Sequence, residues 1–576
     1  MVQDIYDPLS DYVNIYRGRF KEVCENTFGE LATEANVNVE ENRKTCSELY
    51  KAQAELDQIR SKITALTVLC VLLWIAVAAA IASVFLVKER TAGVIAAGAI
   101  LVVLIIILQV LLVHPRLKLL KNGRDQLMSK VSSLTDAAWE QMKPLNDLYD
   151  WDILARMMSK TVPRLEFDPY FTTQRLADLR ATYGWDDSFN EGRSVIYSHS
   201  GLINGNPFVL CRTRKMEMGT KTYHGYKTIH WTTREKNSDG KYYTAHHSQV
   251  LHATYTAPFP LYFEKTRLIY ANTAAPDLVF YRKQSDLAGR ERSLSFRWKL
   301  RRLRRKARKL KHNDYAMLTN EVFEVAFDTS NRNNNHQFAL LFTPLAQESM
   351  MSLLRDDEVG YGDDFDFGKD RMINTIISDH MQNLELDMDP RRYMHFDYDK
   401  ARANFHTSNE RYFHAIYFSF APLLCVPMYQ QIRPHHDIYG RDMRVESSFW
   451  EHEALANFWG QDQFMHPSCV TDCILKTSRH DSNHEGSSSL RVYAHGYRTE
   501  PRVASVSVYG GDGRWHNVPV EWDEYIAVTG TGTIQMKEDN SSNGTNISHA
   551  ERLNHINHVL ESSSMSVYRR HIASRI

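Results

Sequence analysis

The chain has 576 residues, 43% of them hydrophobic and 24% charged, with 69 Lys and Arg against 69 Asp and Glu. Such a length exceeds one ordinary core, so two or three folded units are expected, and a formal net charge of zero excludes a global pull toward nucleic acid. Seven cysteines, few and odd in number, argue against a disulfide framework and for soluble parts held in a reducing compartment.

Residues 1–62 are polar and charged, with no early apolar core behind a basic start, so no secretory signal is expected. Tyr12, Ile15, Tyr16, Phe20 and Val23 recur at three- and four-residue steps, and SELYKAQAELDQIRSKI continues the pattern. The whole segment is read as helical and cytosolic.

Residues 63–87 then hold no charge for 25 positions, and residues 92–113 none for 22. At ~1.5 Å per residue either run covers a hydrocarbon core of about 30 Å, so residues 63–113 read as a two-span transmembrane hairpin closed by KERT. Only Gln109 is strongly polar within it, which leaves no marked ion path. Arg43, Lys44, Lys51, Arg60 and Lys62 precede the first span, and Arg116, Lys118, Lys121, Arg124 and Lys130 follow the second. Lys88 and Arg90 alone lie between them. This bias puts both termini on the cytoplasmic side. Sequons at Asn540, Asn543 and Asn546 sit in a Ser- and Asn-rich linker, where such triplets arise by chance.

Residues 114–185 resume helical periodicity and are read as stalk helices, through which the chain would assemble as a coiled coil or homo-oligomer. From residue 186 to about 430 the pattern becomes a cytosolic α+β domain. SVIYSHSGLINGNPFVLCRTRKMEM and YKTIHWTTREKNSDGKYYTAHHSQVLHATYTA alternate with period two around NG and NSDG turns, as antiparallel hairpins do. EVFEVAFDTS and QFALLFTPL are expected as further strands, AQESMMSLLRD as a short helix, Asp356 to Asp370 as an acidic loop, and more strands to about 430. Residues 431–576 read as a separate region with a second hairpin around Gly-Gly-Asp-Gly, a flexible tail and one closing helix.

Ten of the fifteen residues 297–311 are Lys or Arg. Phe296, Leu300, Leu303, Ala307 and Leu310 give the expected helix 296–312 one narrow apolar stripe, with Arg297, Trp298, Lys299, Arg301, Arg302, Arg304, Arg305, Lys306, Arg308 and Lys309 around it. Such a helix suits anionic lipid headgroups, the stripe entering the acyl boundary. Neutralisation by the acidic loop is the second reading and an acidic protein or nucleic acid the third. No aromatic ladder or recognised module supports nucleic acid.

Cys469, Cys473, His480 and His484 are spaced C-x3-C-x6-H-x3-H, a pattern able to close a tetrahedral zinc site, although chance placement among 25 histidines competes with it. RPHHDIYGRD and HFDYDKARANFH each bring His and Asp together, as hydrolytic metal sites do. Nucleophile-elbow, P-loop and dinucleotide fingerprints are absent.

VPRLEFDPY, GWDDSFNEGRSVIYSHSGLINGNPFVL and EVFEVAFDTSNRNNNHQFALLFTPLAQESMMSLL follow an N-terminal helix, an Arg shortly before the membrane and the span pair. Together, over roughly residues 10–425, these resemble an uncharacterised family of bacterial two-span membrane proteins known only as a domain of unknown function. The resemblance implies a protein of the bacterial cytoplasmic (inner) membrane with a cytosolic α+β domain, and it supplies no catalytic residues. The expected fold is an α+β membrane protein: a transmembrane helical hairpin, flanking stalk helices and a mainly antiparallel β-rich cytosolic domain. The expected role is a membrane-anchored binding or scaffold protein without enzymatic activity or cofactor, its partners the bilayer, anionic headgroups and an unidentified protein. The alternative is a zinc-dependent hydrolase or nuclease.

Overall fold

The computed structural model describes residues 5–86, 100, 102–105, 107, 109–237, 240–309, 315–386, 388–432, 446–481, 487–538, 565–568 and 571–575. The sequons and RPHHDIYGRD lie outside them. The fold is α+β with antiparallel sheets, in two compact units: Met1–Cys24, Asp150–Asp389 and Asn409–Ile576 form one, and Glu25–Tyr149 with Pro390–Ser408 the other.

The first unit holds both sheets. β1 (Leu165–Phe167), β2 (Arg193–Ile203), β3 (Asn206–Lys236), β4 (Tyr242–Ala271), β5 (Val279–Arg282), β6 (Phe365–Asp370) and β7 (Ile373–Ser378) make a seven-stranded sheet in the order β1-β2-β3-β4-β7-β6-β5. Asn204 at φ 52° and Gly205 at φ 76° form the two-residue β2–β3 turn, whose positive φ values match the twist of the flanking strands. β8 (Ile474–Asp481), β9 (Ser487–Tyr509), β10 (Trp515–Glu538), β11 (Met565–Tyr568) and β12 (His571–Arg575) make a second sheet, ordered β11-β12-β10-β9-β8.

The long strands serve two purposes. At the base, β2 pairs with β3 only as far as Lys215, and β7 pairs with β4 only over Leu268–Ala271. From Met216 and Tyr262 outward β3 and β4 pair with each other alone, a ribbon of about 70 Å at ~3.3 Å per residue. The outer half of the β9–β10 hairpin packs on this ribbon. Ile229, Leu251 and Ala253 pack on Val518 and Val520, flanked by Tyr223, Trp231, Tyr255, Val506 and Val508. Gly225 permits the approach, because a Cβ there would stand 2.2 Å from the Pro519 carbonyl oxygen. At the tip, Gly511 N–H donates to Gln249 Oε1 at 2.6 Å.

At the base the two sheets share one core. Val195, Val209, Cys211 and Ile269 pack with Leu475, Leu490, Val492, Ile534 and Met536, and with Trp450 and Leu455 of the helix Phe449–Trp459. The C-terminal region is therefore not a separate unit or an appendix. Half of this core comes from it. In place of the expected closing helix, β12 pairs with β10 and β11 pairs with β12.

Four further expectations change. EVFEVAF is the helix Glu321–Phe327: Asn320 Oδ1 accepts from Phe323 N–H at 3.1 Å, Phe323 and Phe327 stack one turn apart, and Asp328 at φ 45° ends it. QFALL lies in the helix Asn335–Leu341, capped by Asn334, and of the strands expected toward residue 430 β7 is present, whereas residues 398–424 form the helix Tyr398–Leu424. The stalk ends at Tyr149 rather than 185, since residues from Asp150 belong with the sheets.

The second unit is built on two long helical limbs. Val39–Leu86 is one continuous helix, and His114–Asn146 follows a π-helical turn at Gln109–Val113. They run antiparallel: Gln141 Nε2 donates to Thr45 Oγ1 at 3.1 Å, Gly123 faces Ile59, and Gln109 Nε2 donates to the Cys70 carbonyl at 3.2 Å. Among the described residues one helix, within Val39–Leu86, is long and apolar enough to cross a bilayer. Val68, Leu69, Val71, Leu72, Trp74 and Ile75 on it all face outward. The connection across residues 87–99 lies outside the described residues. At the other end Arg43 makes a bidentate pair with Asp399 at 2.9 and 2.7 Å, and Tyr50 O–H donates to Asp397 Oδ2 at 2.5 Å.

Candidate basic surface and thiol pair

Ser293 starts the basic helix, its Oγ accepting from Phe296 N–H at 3.2 Å, and the helix runs Leu294–Arg308 with Lys309 as its C-cap. Residues 310–314, including Leu310, lie outside the described residues. The apolar stripe turns inward. Phe296 and Leu303 are buried with Tyr315 and Val325, and Leu300, Met317 and Val322 pack around them. The expected insertion of that stripe into an acyl boundary is corrected, because the protein's own core occupies it; Ala307 remains exposed.

Part of the charge is answered locally. Lys299 Nζ lies 2.9 Å from Asp328 Oδ2, Arg304 makes a bidentate pair with Glu321, and Lys306 Nζ donates to the Ser330 carbonyl. The Arg304 guanidinium holds the Glu321 carboxyl below its ordinary range. The acidic stretch 356–370, whose last six residues are β6 rather than loop, turns four of its carboxylates elsewhere: Asp363 pairs with buried Arg282, Asp364 with His380, Asp366 accepts from Tyr281 O–H at 2.6 Å, and Asp356 accepts backbone N–H groups of its own turn. Neutralisation by that stretch is thereby corrected in favour of Asp328 and Glu321, which the strand expected over EVFEVAFDTS does not bring to the basic helix.

On the opposite face, Arg297, Arg301, Arg302, Arg305, Arg308 and Lys309 are exposed and form no ion pair with a described residue. Leu294 and Trp298 stand among them, 82% and 65% exposed. Trp298, Arg301, Arg302, Arg305, Lys306 and Lys309 line an open concavity of about 390 Å³. The Arg302 guanidinium lies 5.9 Å from the Trp298 ring centroid. This cationic groove with an aromatic wall can hold anionic groups by charge and hydrogen bonds while the indole takes apolar surface.

The zinc quartet does not assemble. Cys469 and Cys473 are neighbours, their sulfurs 3.7 Å apart, but His480 lies seven residues farther along β8, about 23 Å at ~3.3 Å per residue. No metal reaches both at bond lengths near 2 Å. His480 Nε2 instead lies 3.1 Å from Ser478 Oγ, and His484 falls outside the described residues. Burial, reinforced by the adjoining Cys469 thiol, pushes the Cys473 thiol up to about 12.

HFDYDKARANFH is likewise spent on structure. His395 Nδ1 accepts from Asp397 N–H at 2.9 Å, and Asp397 and Asp399 are held by Tyr50 and Arg43. Comparison of the chain with known protein families, with curated proteins and with solved structures finds no match.

Proposed function

We propose that the chain is a membrane-anchored, non-enzymatic binding protein. A two-span hairpin, residues 63–87 and 92–113, holds it in a bacterial inner membrane with both termini cytoplasmic, and the outward face of the basic helix engages anionic lipid headgroups. The resemblance to the two-span family is part of the same proposal. Two facts support the anchor. The outward residues of the first limb are Val, Leu, Trp and Ile, with Ile100, Val103, Leu104, Ile107 and Leu111 exposed after it. Gln109, the strongly polar residue of the second run, is 7% exposed and spends its amide on the first limb.

The single observation that carries the lipid reading is the exposed Trp298 amid Arg301, Arg302 and Arg305. Each cation near an anionic surface contributes about 1 kcal/mol, and an indole prefers the headgroup level. The test is quenching of Trp298 by brominated lipid in proteoliposomes of the full chain, taken as the difference from Trp298→Phe. Quenching in anionic but not in neutral bilayers supports the reading. Equal or absent quenching in both refutes it.

A further inference from the structure

The Cys469–Cys473 pair has a geometry that neither lipid binding nor metal ligation uses. Their sulfurs are in van der Waals contact at 3.7 Å, and both cysteines are free thiols. The room they share is created by Gly496, where a Cβ would fall 2.5 Å from Cys469 Sγ and 2.8 Å from Cys473 Sγ. Backbone bonds hold the segment in place, one of them to β9 and two to residues 461–466. Cys469 N–H donates to the His466 carbonyl at 2.8 Å, Val470 N–H to the Tyr497 carbonyl at 2.9 Å, and Cys473 N–H to Gln461 Oε1 at 2.9 Å. The two thiols differ in access, since Cys473 is sealed in the core whereas Cys469 is only partly covered.

A reachable thiol beside a sheltered one is the arrangement in which an oxidised sulfur is captured before it oxidises further. We propose that Cys469 is an oxidation site for a hydroperoxide and that Cys473 resolves it into a reversible disulfide. The Cys469 sulfur attacks the peroxide oxygen, breaking the O–O bond. It becomes a sulfenic acid, and the other oxygen leaves as water or an alcohol. The Cys473 sulfur then attacks Cys469 Sγ, forming the S–S bond and releasing the sulfenic oxygen as water with the Cys473 proton. Two thiols are oxidised by two electrons and one peroxide is reduced. A disulfide bond measures about 2.05 Å, so the sulfurs close the remaining gap by side-chain rotation beneath Gly496. A small dithiol reverses the bond by exchange.

The test treats the full-length protein in detergent with hydrogen peroxide near stoichiometry, caps remaining thiols and maps peptides by mass spectrometry. The expected product is a Cys469–Cys473 link lacking two hydrogens, restored by dithiothreitol. Cys473→Ser should trap Cys469 as a dimedone-reactive sulfenic acid, and Cys469→Ser should leave Cys473 unmodified at the same dose. Thermal unfolding of both variants in the reduced state checks that they remain folded. The proposal is overturned if wild-type Cys469 proceeds to sulfinic acid without a linked peptide, if Cys473 reacts first, or if purified protein carries stoichiometric zinc that blocks oxidation until chelated.

Discussion

The Gln109 side chain donates to the Cys70 carbonyl at 3.2 Å, so the strongly polar residue in one apolar run is satisfied by the backbone of the other. An amide facing hydrocarbon without a partner costs several kcal/mol, whereas this one is sheltered between the limbs.

A first prediction follows. Gln109→Leu should change stability by less than about 1 kcal/mol, because polar contacts between spans average about 0.6 kcal/mol. Gln109→Lys places a charge in the run at a cost of about 3 kcal/mol and should lower the carbonate-resistant membrane fraction severalfold. An unchanged fraction for the Lys variant would rule out burial of both limbs in lipid.

The charged face of the basic helix gives the second. With about 1 kcal/mol per cation, reversing Arg301, Arg302 and Arg305 to Glu should weaken binding of anionic vesicles, measured on protein held in neutral nanodiscs, by a hundredfold or more. Arg304→Gln serves as the control, since Glu321 already takes that guanidinium. It should lose little affinity, and equal losses would show that net charge rather than this face is responsible.

Lys369 gives the third. It is 1% exposed, its ammonium has no hydrogen-bond partner among the described residues and faces the Tyr429 ring at 5.6 Å, and burial pushes it down to about 7 against the opposing pull of Asp370. The unfolded chain therefore binds more protons between pH 7 and the ordinary Lys value near 10.5, and stability rises with pH across that window. Below pH 7 the full cost of the buried charge is present. Lys369→Met should stabilise the protein by on the order of a few kcal/mol at pH 6, and denaturant titrations should find the gain shrinking toward pH 10. A gain independent of pH would assign the effect to packing.

The contact between the two hairpins gives the fourth. Gly225→Ala brings a methyl against the Pro519 carbonyl, which the ribbons relieve only by moving apart, at a cost of about 1–3 kcal/mol. The thermal midpoint should fall, and limited proteolysis should open residues 216–262 first. Unchanged protection there would mean that the hairpins are held by contacts other than the Ile229, Leu251, Val518 and Val520 cluster.

Local signals were the ones legible in sequence. The uncharged first run, the Asn204–Gly205 turn and the period-two alternation of β3, β4, β9 and β10 each carry their own physical cause within a few residues. EVFEVAF misled because Val and Phe alternation mimics a strand over seven residues. The Asn320 cap, Glu324 paired with buried Arg332, and Phe323 stacked on Phe327 override that preference. The direction of the basic stripe was hidden for another reason. Whether Phe296 and Leu303 meet lipid or Val325 depends on a partner helix that the stripe itself does not encode. The common core of Val209 and Val492 is a pairing across nearly three hundred positions, beyond any window of periodicity.

The doubled β arm has a mechanical consequence. A lone two-stranded ribbon of that reach flexes and twists freely, but two ribbons bonded face to face act as a laminate, whose resistance to bending climbs steeply with thickness. The Tyr509 and Trp515 rings at its far end, 5.5 Å apart and open to solvent, are thus carried on a strut, and a load applied to them is delivered to the base as torque.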